Sequence, residues 1–177
     1  MSEAVERVRE ELRLVERIGL FIPGYRGYKE KEIRREADRL LREYLLRKLR
    51  SAYEDFKGLM AFVAAIGRGA LYETYNQVQA TFDRVIARLR TADYGYAGFF
   101  DAVKIEEPEL DSLIKYDYGL VEGVEKVSKK VAEVREAALS GDPSKVVGAL
   151  VALRSELESL DGLLTKREDV IARVGRG

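Results

Sequence analysis

The sequence predicts an all-α protein of about five helices in an antiparallel bundle, partly coiled-coil-like. Three observations carry that expectation. Apolar residues recur at three- and four-residue steps along most of the chain. No stretch alternates apolar and polar residues as a half-buried strand would, and no repeat of 20–50 residues is visible. The three prolines, Pro23, Pro108 and Pro143, each fall where the helical step is interrupted. At 177 residues the chain suits a single domain over 1–177. A chain of this size buries roughly 70% of the surface exposed when unfolded, so no disulfide or metal staple is needed.

The first helix is expected over Ser2 to Gly19, with Val5, Val8, Leu12, Val15 and Ile18 as one stripe. Ser2 suits an N-cap, and Glu3 and Glu6 suit the positive end of the helix dipole. Because the stripe is narrow, residues 1–19 are also the best candidate for pairing with another chain. A loop, Leu20 to Tyr28, follows. The second helix is expected from near Lys29 through Leu40, Leu41, Leu45, Leu49 and Phe56, and on to Ile66. Gly58 and the pair Gly67 and Gly69 are candidate breaks, with the turn placed at Gly67 to Gly69. The third helix runs from Ala70 to about Ala92. After a second irregular stretch, Asp93 to Lys104, Pro108 opens a long fourth helix ending at Ser140-Gly141. Asp142 and Pro143 read as the N-cap and first residue of the last helix, which Asp161-Gly162 could interrupt.

Composition removes whole classes of chemistry. The chain has no Cys, so disulfides, thiolate metal sites and cysteine nucleophiles are excluded. It has no His, which removes the commonest metal ligand, general base and physiological pH switch. The Glu122/Glu125 and Glu133/Glu136 pairs lack the His that bundle di-metal sites use, and solvated surface positions are expected for them. No cofactor, metal or catalytic residue is expected, and the chain reads as a non-enzyme. Basic and acidic residues balance at 31 each, so nothing global calls for a nucleic acid or a membrane surface. The opening residues alternate charged and apolar, unlike a secretory leader. The longest apolar run, Leu59 to Ile66, is too short to span a bilayer. A cytoplasmic protein is therefore expected.

Two loops stand out. Phe21, Tyr25, Tyr28, Tyr94, Tyr96, Phe99 and Phe100 are seven of the 16 aromatic residues, concentrated in two short Gly-rich segments. Loops are usually polar, so these must either pack as a small satellite core or bind something. The binding reading makes Tyr25, Arg26, Tyr28, Tyr94, Tyr96, Phe99, Phe100 and Asp101 a contact patch for a partner protein, since Tyr and Arg dominate interface hot spots. A second reading uses the ten basic residues set against five acidic ones between Arg26 and Arg50. Arg35, Arg39 and Arg42 would form a basic face for RNA or anionic lipid. A third places a small anion on the Gly-Tyr loops, near Arg26, Lys29 and Asp101, although the spacing matches no phosphate-binding fingerprint.

The runs IPGYRGYKEKEIRREADRLLREYL and ADYGYAGFFDAVKIEEPELDSLIKYD resemble a family of uncharacterised helical proteins from archaea and bacteria. The resemblance spans residues 20 to 125 and implies no activity, cofactor or catalytic position. It marks the two aromatic loops as a family signature. A non-enzymatic scaffold or adaptor acting through protein–protein contact is the leading functional expectation.

Charged residues are abundant, Arg exceeds Lys, and only Asn76, Gln77 and Gln79 carry side-chain amides. That bias points to a thermophilic source. The expected melting midpoint lies above about 60 °C, beyond the usual mesophile range. Calorimetry giving a lower value would remove the thermophile reading.

Overall fold

A computed structural model describes residues 2–67, 69–92 and 96–176. Among them are seven α-helices and no strand: α1 (Glu3–Phe21), α2 (Arg34–Lys57), α3 (Met60–Ile66), α4 (Ala70–Thr91), α5 (Ala97–Asp101), α6 (Glu107–Ser140) and α7 (Pro143–Arg176). A 3-10 turn over Lys31–Ile33 leads into α2. The all-α bundle expected from periodicity is the fold observed. No helix among the described residues is long and apolar enough to cross a membrane.

The expected single domain resolves into two compact units. The first comprises Met1–Leu45, Arg90–Val121 and Leu163–Gly177, and the second Leu46–Leu89 and Glu122–Gly162. Helices α2, α6 and α7 are long enough to contribute to both, and each unit has its own core.

In the second unit, the latter part of α2 runs antiparallel to α4. Tyr53 stacks on Phe82 at 4.8 Å between ring centroids, and Phe56, further along α2, stacks on Tyr75, further back along α4, at 4.4 Å. Such offset rings add about 0.5–1.5 kcal/mol beyond their burial. The Tyr75 hydroxyl donates to the Phe56 carbonyl at 3.1 Å, so its polar end is satisfied inside the core. Leu150, Leu153 and Leu157 of α7 are also buried. A Cβ placed on Gly123 would lie 2.7 Å from the Leu160 side chain. This small residue lets α6 and α7 approach closely.

Several helix ends differ from expectation. Gly19 does not end α1, which continues to Phe21 and stops where Pro23 removes an N–H and Gly24 takes φ +91°. Ser2 occupies the N-cap position with its backbone rather than its side chain, its carbonyl accepting from Val5 N at 3.0 Å. Both glycine breaks after α2 are used: Gly58 separates α2 from α3, and Gly67 follows α3. The second irregular stretch contains the helical turn α5. Asp161-Gly162 does not interrupt α7, because Asp161 is held by Arg88 at 2.8 Å and a single glycine costs only about 1 kcal/mol in a long packed helix. The Asp142-Pro143 start is as expected, with Asp142 Oδ1 accepting from Ser144 N at 3.0 Å.

The first unit holds both aromatic loops. Gly27 sits at φ +74°, which favours glycine, and a Cβ there would meet Ile114 at 3.1 Å and Val15 at 3.4 Å. The first loop is thereby pressed between α1 and α6. Gly98 in α5 approaches Gly175 of α7 so closely that a Cβ would fall 2.7 Å from the Gly175 carbonyl oxygen. Backbone contact at that point draws the second loop onto α7.

Candidate functional site

The two loops meet, but inside the first unit. Tyr25, Tyr28, Tyr96, Phe99 and Phe100 are all buried. Tyr28 packs edge-on against Phe99 at 5.4 Å and against Tyr25 at 6.1 Å, and Tyr96 packs edge-on against Phe100 at 6.1 Å. These five form core, not the expected contact patch. Their rings bury large apolar area, and their hydroxyls find partners within the protein. Tyr94 lies outside the described residues. Arg26 and Asp101 are exposed. Of the eight residues in the expected patch, therefore, only these two are at the described surface.

The basic face is likewise occupied by its own chain. Arg39 is exposed and held by Glu36 at 2.6 Å and Glu43 at 2.9 Å, one helical turn either side. Arg42 turns inward, its Nε donating to Asp38 Oδ2 at 2.8 Å. Arg35 lies over the Phe100 ring at 4.5 Å and within 3.9 Å of Asp101. Arg39 and Arg42 thus each face a carboxylate at hydrogen-bonding distance, which weakens the field a polyanion would need.

The loops enclose a polar network whose centre is Arg167 of α7. Its Nε donates to Asp117 Oδ1 of α6 at 2.7 Å. Its Nη2 donates to Asp38 Oδ1 of α2 at 2.8 Å and to the Tyr28 hydroxyl at 2.8 Å. Its Nη1 reaches the Tyr96 hydroxyl at 3.3 Å. The Tyr25 hydroxyl donates to Asp117 Oδ2 at 2.6 Å, and the Tyr28 hydroxyl donates to the same oxygen. Asp117 therefore accepts three donors, an arrangement only a carboxylate satisfies. Two guanidinium groups, Arg167 and Arg42, face two carboxylates, Asp38 and Asp117. Alongside, buried Arg34 donates to the carbonyls of Tyr28 and Ala102, tying one loop to the other.

Position shifts the titration of these groups. Burial pushes the Tyr25 and Tyr28 hydroxyls well above the ordinary tyrosine value, and the Asp117 charge adds to it. Burial also moves Tyr96 up, to about 12. Burial alone would lower Arg167, but Tyr28, Asp117 and Asp38 outweigh it and raise it. The network thus holds a permanent cation ringed by neutral hydroxyls and carboxylates. Its members bond chiefly to one another, as a structural clasp.

Asp38, Asp117 and Arg167 were not expected as site residues, yet the sequence carried a signal. Leu113, Asp117, Leu120 and Val124 are spaced by four, three and four residues, as are Leu160, Leu164, Arg167 and Ile171. Asp117 and Arg167 thus occupy core positions within apolar stripes. Arg34, Asp38, Leu41 and Leu45 repeat the spacing on α2. A charge at such a position requires an opposite charge at another.

No family model, curated protein or solved structure matches the chain. The functional argument therefore rests on its own residues.

Arg167→Met should cost about 3–5 kcal/mol in urea unfolding, because it leaves Asp117 buried without its cation and takes from Asp38 one of its two. A loss below about 1 kcal/mol would show that the clasp does not hold the unit together. Alkaline pH gives an independent check. The unfolded chain loses tyrosine protons near pH 10, whereas the folded chain retains those of Tyr25, Tyr28 and Tyr96 to higher pH. Above about pH 10 the unfolded state thus binds fewer protons, and stability must fall as pH rises. Phenolate absorbance from these three tyrosines should appear together with loss of helix. Their titration near pH 10 in an intact fold would contradict the network.

Proposed function

We propose that the chain is a non-enzymatic helical scaffold that works by protein–protein contact, and that its contact surface is the apolar stripe of α1. One observation carries this reading: Val5, Val8 and Leu12, successive members of the stripe, are 43%, 43% and 55% exposed. The end of the same stripe behaves differently, with Ile18 fully buried and Val15 half-buried. The helix is thus buried at its C-terminal end and leaves apolar side chains partly open along its first turns, where Val8 borders Val103, Ile105 and Leu110. Contiguous exposed apolar surface of this kind marks interaction sites in folded proteins.

This reading moves the contact surface away from the aromatic loops, whose side chains are used internally. The arginine partners described above weigh against the anionic-surface alternative. The inward tyrosine hydroxyls weigh against an anion held by the Gly-Tyr loops.

The test compares wild type with a Val8→Glu/Leu12→Glu variant of matched melting temperature. Association is measured by sedimentation in solution and by capture from the source organism's lysate. Wild type should form at least one complex that the variant weakens tenfold or more. Indistinguishable behaviour of the two proteins would overturn the assignment of α1.

A further inference from the structure

The second unit carries an apolar surface of its own. Helix α3 reads Met-Ala-Phe-Val-Ala-Ala-Ile, without a polar side chain, yet Val63 is its only buried residue. Met60 is 39% and Phe62 52% exposed. Beside α3 lies an open groove of about 400 Å³ between the end of α2 and α6. Buried Leu59 and Val131 form its base, and Gly58 and Ala132 keep it wide by contributing almost no side chain. Exposed Phe62 stands beside them. Glu54 and Asp55 of α2 bring acidic charge to one edge, and Arg135 of α6 brings a basic one to the other.

We infer that this groove receives the α1 stripe of a second copy of the same chain. The inference rests on the α1 reading above and names its partner. A groove with an apolar base, small residues and a half-exposed aromatic is the form that takes an amphipathic helix. The α1 stripe is such a helix face, two turns long, and both surfaces are exposed on a single chain. Each is therefore open to a second copy. Pairing α1 with α1 would cover the stripe and leave α3 bare, whereas seating α1 in the groove covers both.

Charge complementarity supports the same occupant. Arg9 and Arg13 directly follow Val8 and Leu12, are exposed, and have no ion-pair partner among the described residues. Asp55 and Arg135 in the groove also lack one among the described residues. A docked α1 sets Arg9 and Arg13, four residues apart on one flank of the stripe, against the Glu54 and Asp55 edge of the groove. The contact joins two different surfaces, so it is head-to-tail, and either closes as a reciprocal pair or continues into a longer assembly.

The experiment uses full-length chain and sedimentation over a range of concentrations, with three variants checked for unchanged melting temperature. Leu12→Glu disables the stripe, Ala132→Glu disables the groove, and Asp55→Arg reverses one edge charge. Wild type should self-associate, and Leu12→Glu and Ala132→Glu should each weaken that at least tenfold. An equimolar mixture of these two should regain a one-to-one complex, because one copy retains a stripe and the other a groove. Asp55→Arg should weaken association, and adding Arg13→Asp should restore it. Loss with Leu12→Glu but none with Ala132→Glu would sink the groove and leave the α1 contact standing. Wild type that stays monomeric throughout would overturn the second copy as partner, and the lysate comparison would then judge α1 by itself.

Discussion

The first unit depends on finding partners for one buried guanidinium. Arg167 is 1% exposed, and each of its nitrogens is directed at an acceptor on another part of the chain. Nε requires α6, Nη2 requires α2 and the first loop, and Nη1 requires the segment before α5. A shift of any of these by one residue leaves a buried charge or hydroxyl without a partner, which costs several kcal/mol. Hydrophobic packing alone tolerates such slips far better, because one apolar neighbour replaces another. The clasp therefore selects one arrangement among several that would bury similar area. Its members come from positions as far apart as Tyr28 and Arg167, so it closes only when distant segments have come together.

That clasp explains the composition of the loops. A tyrosine offers a large apolar ring for the core and one hydroxyl for the network, so Tyr25, Tyr28 and Tyr96 serve both needs. The glycines serve them too: Gly27 lets the first loop lie against Ile114 and Val15, and Gly98 lets α5 touch the backbone of α7. The features that look like a recognition patch in the sequence are those that a tightly buried loop also requires. Arg34 completes the arrangement by donating to a carbonyl of each loop.

The two units solve packing differently. The second stacks Tyr53, Phe56, Tyr75 and Phe82 and fills the remainder with leucine and valine, while ion pairs such as Arg88 with Asp161 lie nearer the surface. The first places its charges at the centre. What the units share is an element that fails to bury its apolar face, α1 in one and α3 in the other. Folding removes apolar surface wherever chain geometry allows, so two such surfaces left open on one chain concentrate the capacity for association there.

The sequence by itself determined the helices and most of their limits. Periodicity depends on neighbours three and four residues away, and caps such as Asp142-Pro143 act within a single turn, so both are legible locally. It also determined which chemistry is absent, since no fold can supply a missing histidine or cysteine. Tertiary structure decided the rest. Whether an aromatic loop is core or surface depends on what lies above it, and the segments covering Tyr25 and Phe99 come from distant parts of the chain. Whether Arg42 is a basic face or half of a buried pair depends on the direction of Asp38, itself drawn inward by Arg167. The division into two units was equally hidden, because α2, α6 and α7 pass through the boundary without a break in helical spacing. Local spacing records which face of a helix is apolar, and only the folded chain decides what that face meets.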